Sequence, residues 1–187
     1  MKRSPGVLSV VLALSVWPAQ AQQTVLAAQS EIAFTSKQMG VPVDGRFRHF
    51  DAQVAFDPNH PETAKIGFVI DLVSASLGAA ESEAELAKPD WFNTGKFPRA
   101  TFQSTSVKAA GAGKFEIAGR LVIKETSRDV VIPVALGQSG GTTTATGAFT
   151  IKRLDFGIGA GEWKDTSIVA NEVQVKFKLT LTGVPSF

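Results

Sequence analysis

A strict alternation of apolar and polar residues in the segment KFEIAGRLVIK, residues 114–124, constrains the fold more than any other feature. Apolar side chains occupy one parity from Phe115 to Ile123, with Gly119 in the middle of the row, and mainly polar side chains occupy the other. A period of two residues predicts a β-strand with one face in water and one face against apolar groups. The pattern alone is compatible with a filled core and with a cavity that holds an apolar ligand.

Seven other segments show the same period of two residues, and turn-forming residues separate them. They are 30–36, 44–58, 65–73, 100–108, 128–136, 143–157 and 171–181. Within 44–58 the apolar parity changes near Arg48 and His49, which predicts a β-bulge where one strand bends. Strands do not alternate with long helices, so the eight segments predict one antiparallel architecture, either a barrel or a sandwich.

One segment, GAAESEAELAKPDWF at 78–92, has the composition of a helix rather than a strand. It predicts a short α-helix over about 81–88, which Pro89 brings to an end. The predicted fold class is therefore all-β, with eight antiparallel strands and a single short helix.

The N-terminal residues have the pattern of a secretion signal. Lys2 and Arg3 precede a short apolar segment, and the small residues AQA follow it where a signal peptidase would cut. The apolar segment is shorter than the roughly 20 residues that a membrane-spanning helix needs. We therefore expect residues 1–21 to be removed as a signal peptide and residues 22–187 to form one exported domain without a membrane segment.

Charge and cysteine content exclude several classes of function. The chain has 19 Lys and Arg against 17 Asp and Glu, and the two basic residues of the signal peptide account for the excess. Nucleic-acid binding needs a clustered basic excess, so we expect no nucleic-acid partner. The absence of cysteine excludes disulfides, thiol nucleophiles and cysteine-ligated zinc.

The aromatic composition bears on the interior, since the chain has 13 Phe and 3 Trp but no Tyr. Phenylalanine needs no hydrogen-bond partner when buried, so a phenylalanine-rich interior suits a dry apolar cavity. Gly119, Ala145 and Gly147 lie on inward parities and remove volume there. Small residues can also serve to improve packing or to let strands twist, so both a hollow and a filled interior remain possible.

Few polar residues are candidates for a functional role. Arg153 shares its parity with Phe149 and Ile151 and would point inward, where a buried cation needs a partner. It would either meet an anionic ligand head or form a structural ion pair with Asp155 at the barrel end, and we favour the ion pair.

Catalytic and metal-binding patterns are weak. The two histidines, His49 and His60, lie outside any ligand-like cluster, so we interpret them as surface or turn residues. The carboxylates of EAE at 83–85 are interpreted as a solvated helix face, and the sequence has no G-x-S-x-G motif. We expect no catalytic residue, no metal site and no cofactor, and we do not expect an enzyme.

Four stretches of the chain together resemble the YceI-like family of secreted bacterial proteins. They are IAFTSKQMGVPVDGRFRHFDAQVAFDP (32–58), WFNTGKFPRATFQST (91–105), AGRLVIKETSRDVVIPV (118–134) and IKRLDFGIGAGEW (151–163). The resemblance covers about Ser30 to Leu181. Many members have histidine in the first loop and before the helix, where this chain reads FTSKQMG and AAESEAEL. Any role that such a histidine has in other members can therefore not be assigned to this chain.

The resemblance implies a hollow, lipocalin-like, eight-stranded antiparallel β-barrel in the periplasm, with the short helix near the barrel mouth. The implied ligand is a polyisoprenoid or another long-chain lipid. Strand parity then gives the side chains that line the cavity, and residues on or after the helix cover its mouth. The predicted ligand-binding residues are Phe34, Phe68, Ile70, Leu86, Trp91, Phe92, Phe102, Phe115, Ile117, Leu121, Phe149, Ile151, Val175, Phe177 and Leu179, with Gly119 leaving room for the ligand and Arg153 as a candidate contact to its head.

The leading hypothesis is binding, sequestration or transport of a polyisoprenoid, quinone-like or prenyl-phosphate-like lipid, without chemistry. A second hypothesis is a filled barrel that acts as a stress-response or interaction module through outward residues such as Val122 and Val131. A third is an enzyme that acts on a lipid inside the cavity. Neither the head group of the ligand nor the oligomeric state, monomer or homodimer, follows from the sequence.

Overall fold

Strands dominate the computed structural model, which describes residues 23–187. The strands are β1 Thr24–Val25, β2 Glu31–Gln38, β3 Val41–Phe47, β4 Phe50–Ala55, β5 Lys65–Asp71, β6 Ala75–Ser76, β7 Arg99–Gly111, β8 Lys114–Ile123, β9 Thr126–Ser139, β10 Thr142–Lys152 and β11 Glu172–Thr182. The α-helix, α1, is Ala80–Leu86, and short 3-10 helices span Ala27–Gln29, Pro61–Thr63, Leu72–Ser74, Arg153–Phe156 and Gly161–Lys164. The predicted signal peptide, residues 1–21, lies outside the described residues.

The strands form one antiparallel sheet that curls into a half-barrel. Along the sheet the order is β4-β5-β7-β8-β9-β10-β11-β2-β3-β6, and β1 pairs with the C-terminal end of β11. The predicted class, an antiparallel all-β fold with one short helix, is confirmed. The predicted number of eight strands is wrong, because the sheet formed by residues 23–187 has eleven.

The strand count differs because the second alternating segment is two strands rather than one. β3 keeps a regular register with β2 as far as Phe47, and β4 begins at Phe50 and pairs with β5. Between them the main-chain N–H of Arg48 donates to the carbonyl of Ser74, and that of His49 donates to Ser74 Oγ. The parity change therefore marks a strand end, and the predicted β-bulge is wrong. β1 and β6 have two residues each, too few to show a period.

The alternation that predicts the strands also separates the two faces of the sheet. In β8 the side chains of Phe115, Leu121 and Ile123 are buried, whereas Glu116 and Arg120 are exposed. The same division holds along β7, β10 and β11. Because the sheet curls with its apolar face inward, that face encloses the interior of the molecule.

The carboxylate of Glu83 helps to attach α1 to the sheet. Glu83 Oε1 accepts a hydrogen bond of 2.7 Å from Ser76 Oγ in β6 and lies 3.2 Å from Arg48 Nη2. The helix nearly matches the predicted range of about 81–88, and its N-cap residue, Ala79, makes no side-chain capping bond. So short a helix is unstable by itself, so these contacts hold it in place. None of the helices in residues 23–187 combines the length and apolar character needed to cross a membrane.

Acid pH is expected to loosen α1 through Glu83. The hydrogen bond from Ser76, with a smaller contribution from Arg48, lowers the pKa of Glu83 from its usual 4.5. The folded state therefore favours the ionised form of Glu83. The stabilisation that this gives to the fold is complete above pH 4.5, and it is lost as the pH falls through the pKa that Glu83 has in the folded state. We expect hydrogen exchange of the α1 amides, corrected for intrinsic rates, to accelerate below pH 4.5 relative to β8.

Glu83→Gln is the control for this prediction, because glutamine has the same shape but does not titrate. In the variant, α1 should already be less protected at neutral pH, and acid should not loosen it further relative to β8. An identical acid response in both proteins would contradict the role assigned to Glu83.

Candidate ligand-binding cavity

The curled sheet encloses a cavity of about 520 Å³ between the inward faces of its strands. This volume is within the range of about 300–1,000 Å³ that is typical of small-molecule sites. Nearly all of the wall consists of aliphatic and aromatic side chains. The polar or charged residues in the wall are Ser36, Gln38, Ser82, Glu85, Thr143 and Arg153. The interior is therefore hollow, which decides between the two alternatives that the sequence leaves open.

One end of the cavity, here called the helix end, opens to solvent. It is bounded by α1, by the segments 87–98 and 153–171, and by the β2–β3 turn. The two segments are joined by hydrogen bonds from Gly159 and Ala160 to the Asp90 carbonyl, and the turn is joined by Met39 N–H to the Ile168 carbonyl. Among the lining residues at this end, Gln38 and Ser82 are exposed.

The opposite end, here called the tail end, is closed by the C-terminal residues. Gln138 Nε2 donates a hydrogen bond of 2.9 Å to the carbonyl of Pro185, which fixes the tail against β9. Val184 lines the cavity beside the buried residues Thr143 and Leu181. Both exposed residues of the described cavity wall, Gln38 and Ser82, therefore lie at the helix end and not at the tail end.

All but one of the predicted ligand-binding residues line this cavity. Those on strands are Phe34, Phe68, Ile70, Phe102, Phe115, Ile117, Leu121, Phe149, Ile151, Val175, Phe177 and Leu179, and those at the helix end are Leu86, Trp91, Phe92 and Arg153. Several of them, including Phe34, Ile117 and Val175, are only half-buried and keep free surface on the inward face. That these side chains contact a ligand stays a prediction.

Gly119 is the exception, because the ring of Phe102 on the neighbouring strand covers it. A Cβ atom on Gly119 would lie 2.4 Å from Phe102 Cζ and 2.7 Å from the carbonyl oxygen of Gln103. The prediction that Gly119 leaves room for the ligand is therefore wrong. The Phe102 ring occupies the space that a side chain at position 119 would take.

The same arrangement recurs on two other strand pairs. Gly45 lies directly opposite Phe34, and Gly147 lies directly opposite Phe177. A Cβ atom would come within 2.3 Å of the ring at Gly45 and within 2.4 Å at Gly147. The missing side chain lets each ring lie against the backbone of the next strand instead of extending into the cavity. Glycine beside phenylalanine on the inward face thus keeps the interior open.

Gly119→Ala is expected to destabilise the protein by about 1–3 kcal/mol, because a methyl group displaces both the Phe102 ring and a main-chain carbonyl. Urea unfolding of the variant beside the wild type measures the change. Gly137→Ala in β9 is the matched control, since a Cβ atom there meets nothing within 4 Å. The control should change stability by less than about 0.5 kcal/mol. Equal effects at both glycines would refute the close packing at Gly119.

Arg153 is buried at the helix end, with 1% of its surface exposed, and its guanidinium is bonded entirely to main-chain carbonyls. Nε donates to Ala170, Nη1 to Ile158 and Gly159, and Nη2 to Trp163 and Val169, at distances from 2.6 to 3.1 Å. These five bonds match the five N–H donors of an arginine. Arg153 therefore organises the segment 153–171 around itself.

The predicted ion pair between Arg153 and Asp155 is wrong. Asp155 is exposed, and no carboxylate in residues 23–187 forms a salt bridge with Arg153. Carbonyl dipoles solvate the cation instead, and burial lowers the pKa of the Arg153 guanidinium from its ordinary value. The helix end of the cavity thus carries a positive charge whose N–H donors are all in use.

Lys124, at the β8–β9 turn, fixes the segment that carries Trp91. Its Nζ donates to the carbonyl oxygens of Trp91 and Gly157, each at 2.8 Å, and to that of Pro89 at 3.3 Å. Partial burial lowers the pKa of Lys124 from its usual 10.5. The Trp91 ring packs against that of Trp163, with centroids 5.5 Å apart. We call Trp91, Trp163 and Arg153 the Trp–Arg cluster.

The predicted set omits many of the lining residues, and for two groups among them strand parity could not have given the position. Phe47, Val54 and Phe56 line the cavity, but the parity change at the β3–β4 corner concealed which face they share. Trp163 and Val169 also line it, and they belong to a segment without any period of two residues. Large apolar residues are unusual in an exposed loop, and this is the signal that could have indicated a buried role.

The remaining candidates lie outside the cavity or have ordinary partners. His60 is exposed beside Glu62, and His49 belongs to the β3–β4 corner. Glu83 is bound by Ser76 and Arg48, as described above, and Glu85 pairs with Lys88. Among residues 23–187 no group of three or more His, Cys, Asp or Glu is arranged to hold a metal ion.

Comparison with protein families shows one match over almost all of the described chain. A family model described as the YceI-like domain matches residues 23–181. A UPF0312 protein of Shewanella oneidensis is 34% identical over 138 residues, which are 70% of this chain and 72% of the relative. A UPF0312 protein of Pseudomonas paraeruginosa is 37% identical over 134 residues, 68% of this chain and 70% of the relative.

Solved structures share the same fold. BcnA of Burkholderia cenocepacia is 43% identical and superposes with a TM-score of 0.82, covering 84% of this chain and 99% of BcnA. A domain of Saccharophagus degradans, described as polyisoprenoid binding and implicated in plant cell wall breakdown, has a TM-score of 0.71 at 17% identity. It covers 88% of this chain and 99% of that domain, and at this identity the likeness concerns the fold.

Proposed function

The chain belongs to the YceI-like domain family, and from this premise we propose that it binds a long apolar lipid of the polyisoprenoid class inside its cavity. The observation that carries the proposal is the apolar cavity of about 520 Å³, open at the helix end and closed at the tail end. The Saccharophagus degradans domain, which shares the fold, is described as binding polyisoprenoid. We further propose that the half-barrel sheet encloses the ligand in the manner of a lipocalin-like barrel.

Burial of apolar surface supplies the binding energy in this proposal. Each Å² of apolar surface removed from water contributes about 25 cal/mol, so a ligand that buries about 400 Å² gains about 10 kcal/mol. Association opposes this gain with at least about 4 kcal/mol of lost translational and rotational freedom. The remainder, at most about 6 kcal/mol, corresponds to a dissociation constant of about 40 μM or weaker without any specific contact to the head.

Polar groups in the wall support an orientation for the lipid. Five of the six polar or charged lining residues lie at the helix end, and Thr143 alone lies at the tail end. The apolar chain would therefore lie toward the tail end, where the side chains are buried and apolar. The polar head would stay at the helix end, near solvent.

Binding without chemistry is favoured by the lack of a convergent acid–base pair in the described wall. The Arg153 donors are all bonded to carbonyls, and Glu85 pairs with Lys88. Thr143 accepts a hydrogen bond from Gln138 at the opposite end of the cavity. General acid–base catalysis needs two such groups within reach of one bond of the substrate.

The predicted signal peptide supports a further part of the proposal, that this binding takes place in the periplasm. There the protein would hold a lipid that water cannot dissolve, or carry it between membranes. The second hypothesis, a filled barrel acting through its outer surface, expected a solid interior that this cavity does not provide. Of the two outward valines it relied on, Val131 is 59% exposed, but Val122 is half-buried.

Organic extraction of the purified protein followed by mass spectrometry tests the proposal. We expect an isoprenoid lipid to be recovered with the protein. Added geranylgeraniol at about 100 times its dissociation constant should stabilise lipid-free protein by about 2.7 kcal/mol. For a chain of this size that corresponds to a rise in Tm of about 5–10 °C. Recovery of no lipid together with an unchanged Tm would contradict the proposal.

A further inference from the structure

We propose that residues 183–187, which follow β11, act as an end stop that limits the length of the lipid chain in the cavity. These residues are called the C-terminal strap below. The proposal rests on the proposed lipid-binding function and adds to it the property by which the cavity selects among lipids, the length of the apolar chain. Val184 is the strap residue that the end of the chain meets.

The first observation is that the C-terminal strap crosses the tail end of the cavity. On one side, Gln138 Nε2 of β9 donates a hydrogen bond of 2.9 Å to the Pro185 carbonyl. On the other side, Asn59 Nδ2 in the β4–β5 connection donates one of 3.1 Å to the Ser186 carbonyl. Three strands, β5, β7 and β8, separate β4 from β9 in the curled sheet. A segment bound to both sides therefore spans the end of the half-barrel.

The second observation is that Val184 forms part of the cavity wall. It is the one residue of the strap that lines the cavity, and its side chain is half-buried and packs against the apolar core. Thr143 and Leu181, which lie directly opposite each other on β10 and β11, line the cavity at the same end. A lipid whose head lies at the helix end would direct the end of its chain toward Val184.

The third observation is that the closed end gives the cavity a fixed depth. Thr143 near the tail end and Ile151 near the helix end both line the cavity on β10. At about 3.4 Å per residue, they lie about 27 Å apart along the strand. Binding energy rises with the apolar surface that the ligand buries. An isoprene unit beyond this depth stays in water, so it adds nothing to the affinity.

The fourth observation is that side chains alone attach the strap by hydrogen bonds. Within residues 23–187, no hydrogen bond joins the main chain of 183–187 to another main-chain group. Both anchoring amides, Asn59 and Gln138, are exposed. A segment with few main-chain hydrogen bonds opens at a low free-energy cost. The length limit therefore depends on these two anchors and on the size of the Val184 side chain, and each of them is open to substitution.

The test uses two variants that should move the limit in opposite directions. The double variant Asn59→Ala/Gln138→Ala removes both anchors, so a long chain should displace the strap and extend past it. Val184→Trp places an indole at the closed end, so the cavity should become shallower. The probes are prenyl alcohols with three, four, six, eight or ten isoprene units, and their partition between lipid-free protein and detergent micelles is measured. Each variant is compared with the wild type at the same chain length, which cancels the preference of long chains for micelles.

We expect the double variant to bind the ten-unit probe about tenfold more tightly than the wild type, the effect of burying about two further methylene groups. Val184→Trp should bind the same probe about tenfold more weakly. Both should bind the three-unit probe within about twofold of the wild type, because a short chain does not need to reach the strap.

Each variant has a matched control on the outer face of the sheet. Gln53→Ala/Gln174→Ala removes two exposed amides from β4 and β11, and Val131→Trp adds an indole where the side chain is 59% exposed. Both controls should leave the affinity for every probe within about twofold of the wild type.

Failure of the end stop and failure of the proposed function give different results. The same dependence on chain length in the wild type and in both variants would reject the end stop, as would weaker binding of the ten-unit probe by the double variant. In both cases lipid binding itself still stands. If the wild type binds none of the five probes, the proposed function is rejected.

Discussion

Replacing Arg153 by methionine is expected to lower the free energy of unfolding by about 3–5 kcal/mol. The guanidinium bonds five main-chain carbonyls between Ile158 and Ala170, and these acceptors lose their partner in the variant. Methionine has a comparable volume and no charge, so the loss reflects mainly missing hydrogen bonds rather than missing volume. Urea unfolding followed by far-ultraviolet circular dichroism measures the change.

Arg120→Met is the control for this experiment. Arg120 lies on the outer face of β8 with 63% of its side chain exposed, and it pairs with Asp129 at 3.5 Å. Exposed ion pairs of this kind contribute about 0–1 kcal/mol, so the control should remain close to the wild type. If Arg153→Met lowers the free energy of unfolding by no more than Arg120→Met does, the five hydrogen bonds from Arg153 to main-chain carbonyls do not stabilise the protein.

Replacing Val175 by tryptophan is expected to weaken lipid binding about 50- to 100-fold. Val175 lies on the inward face of β11, opposite Phe149 and Phe34, and its side chain is half-buried in the cavity wall. An indole there would displace about 100 Å² of ligand contact, which at about 25 cal/mol per Å² is about 2.5 kcal/mol of binding energy. Titration with geranylgeraniol measures the loss of affinity.

Val131→Trp makes the same chemical change on the outer face, where Val131 is 59% exposed. It should leave lipid affinity within about twofold of the wild type and change stability by less than about 0.5 kcal/mol. Thermal unfolding of both variants separates loss of binding from loss of folding. If Val175→Trp folds and binds lipid like Val131→Trp, the lipid does not occupy this cavity.

The strands and their inward faces could be predicted from sequence because alternation is a local signal. Each long strand has its own row of alternating apolar residues. The sequences of β8 and β11 therefore predict both the strand and the face that points inward. Most of the predicted wall therefore lies where parity puts it. The β3–β4 corner could not be predicted, because the parity change is the same for a bulge and for a strand end. Hydrogen bonds to Ser74, distant in sequence, decide between them.

The helix end of the cavity was less predictable than the strands. The partners of Arg153 are main-chain carbonyls of a loop, and a carbonyl has no signature in the sequence, so Asp155 was the natural but wrong choice. Gly119 was correctly placed on the inward face, yet its neighbour across the strands decides what it does. Parity reports the face of a residue but not which side chain lies over it.

The phenylalanine rings that lie over Gly45, Gly119 and Gly147 have a consequence for the thermodynamics of binding. Immobilising a mobile side chain at an interface costs about 0.5–1.5 kcal/mol of conformational entropy. Rings already confined against a neighbouring backbone have little such freedom left to lose when a lipid enters. Because the rings are confined, the width of the cavity depends on the positions of the backbone and not on the rotamers of the rings. Such a preorganised channel would discriminate among lipids by their width more than by the chemistry along their chains.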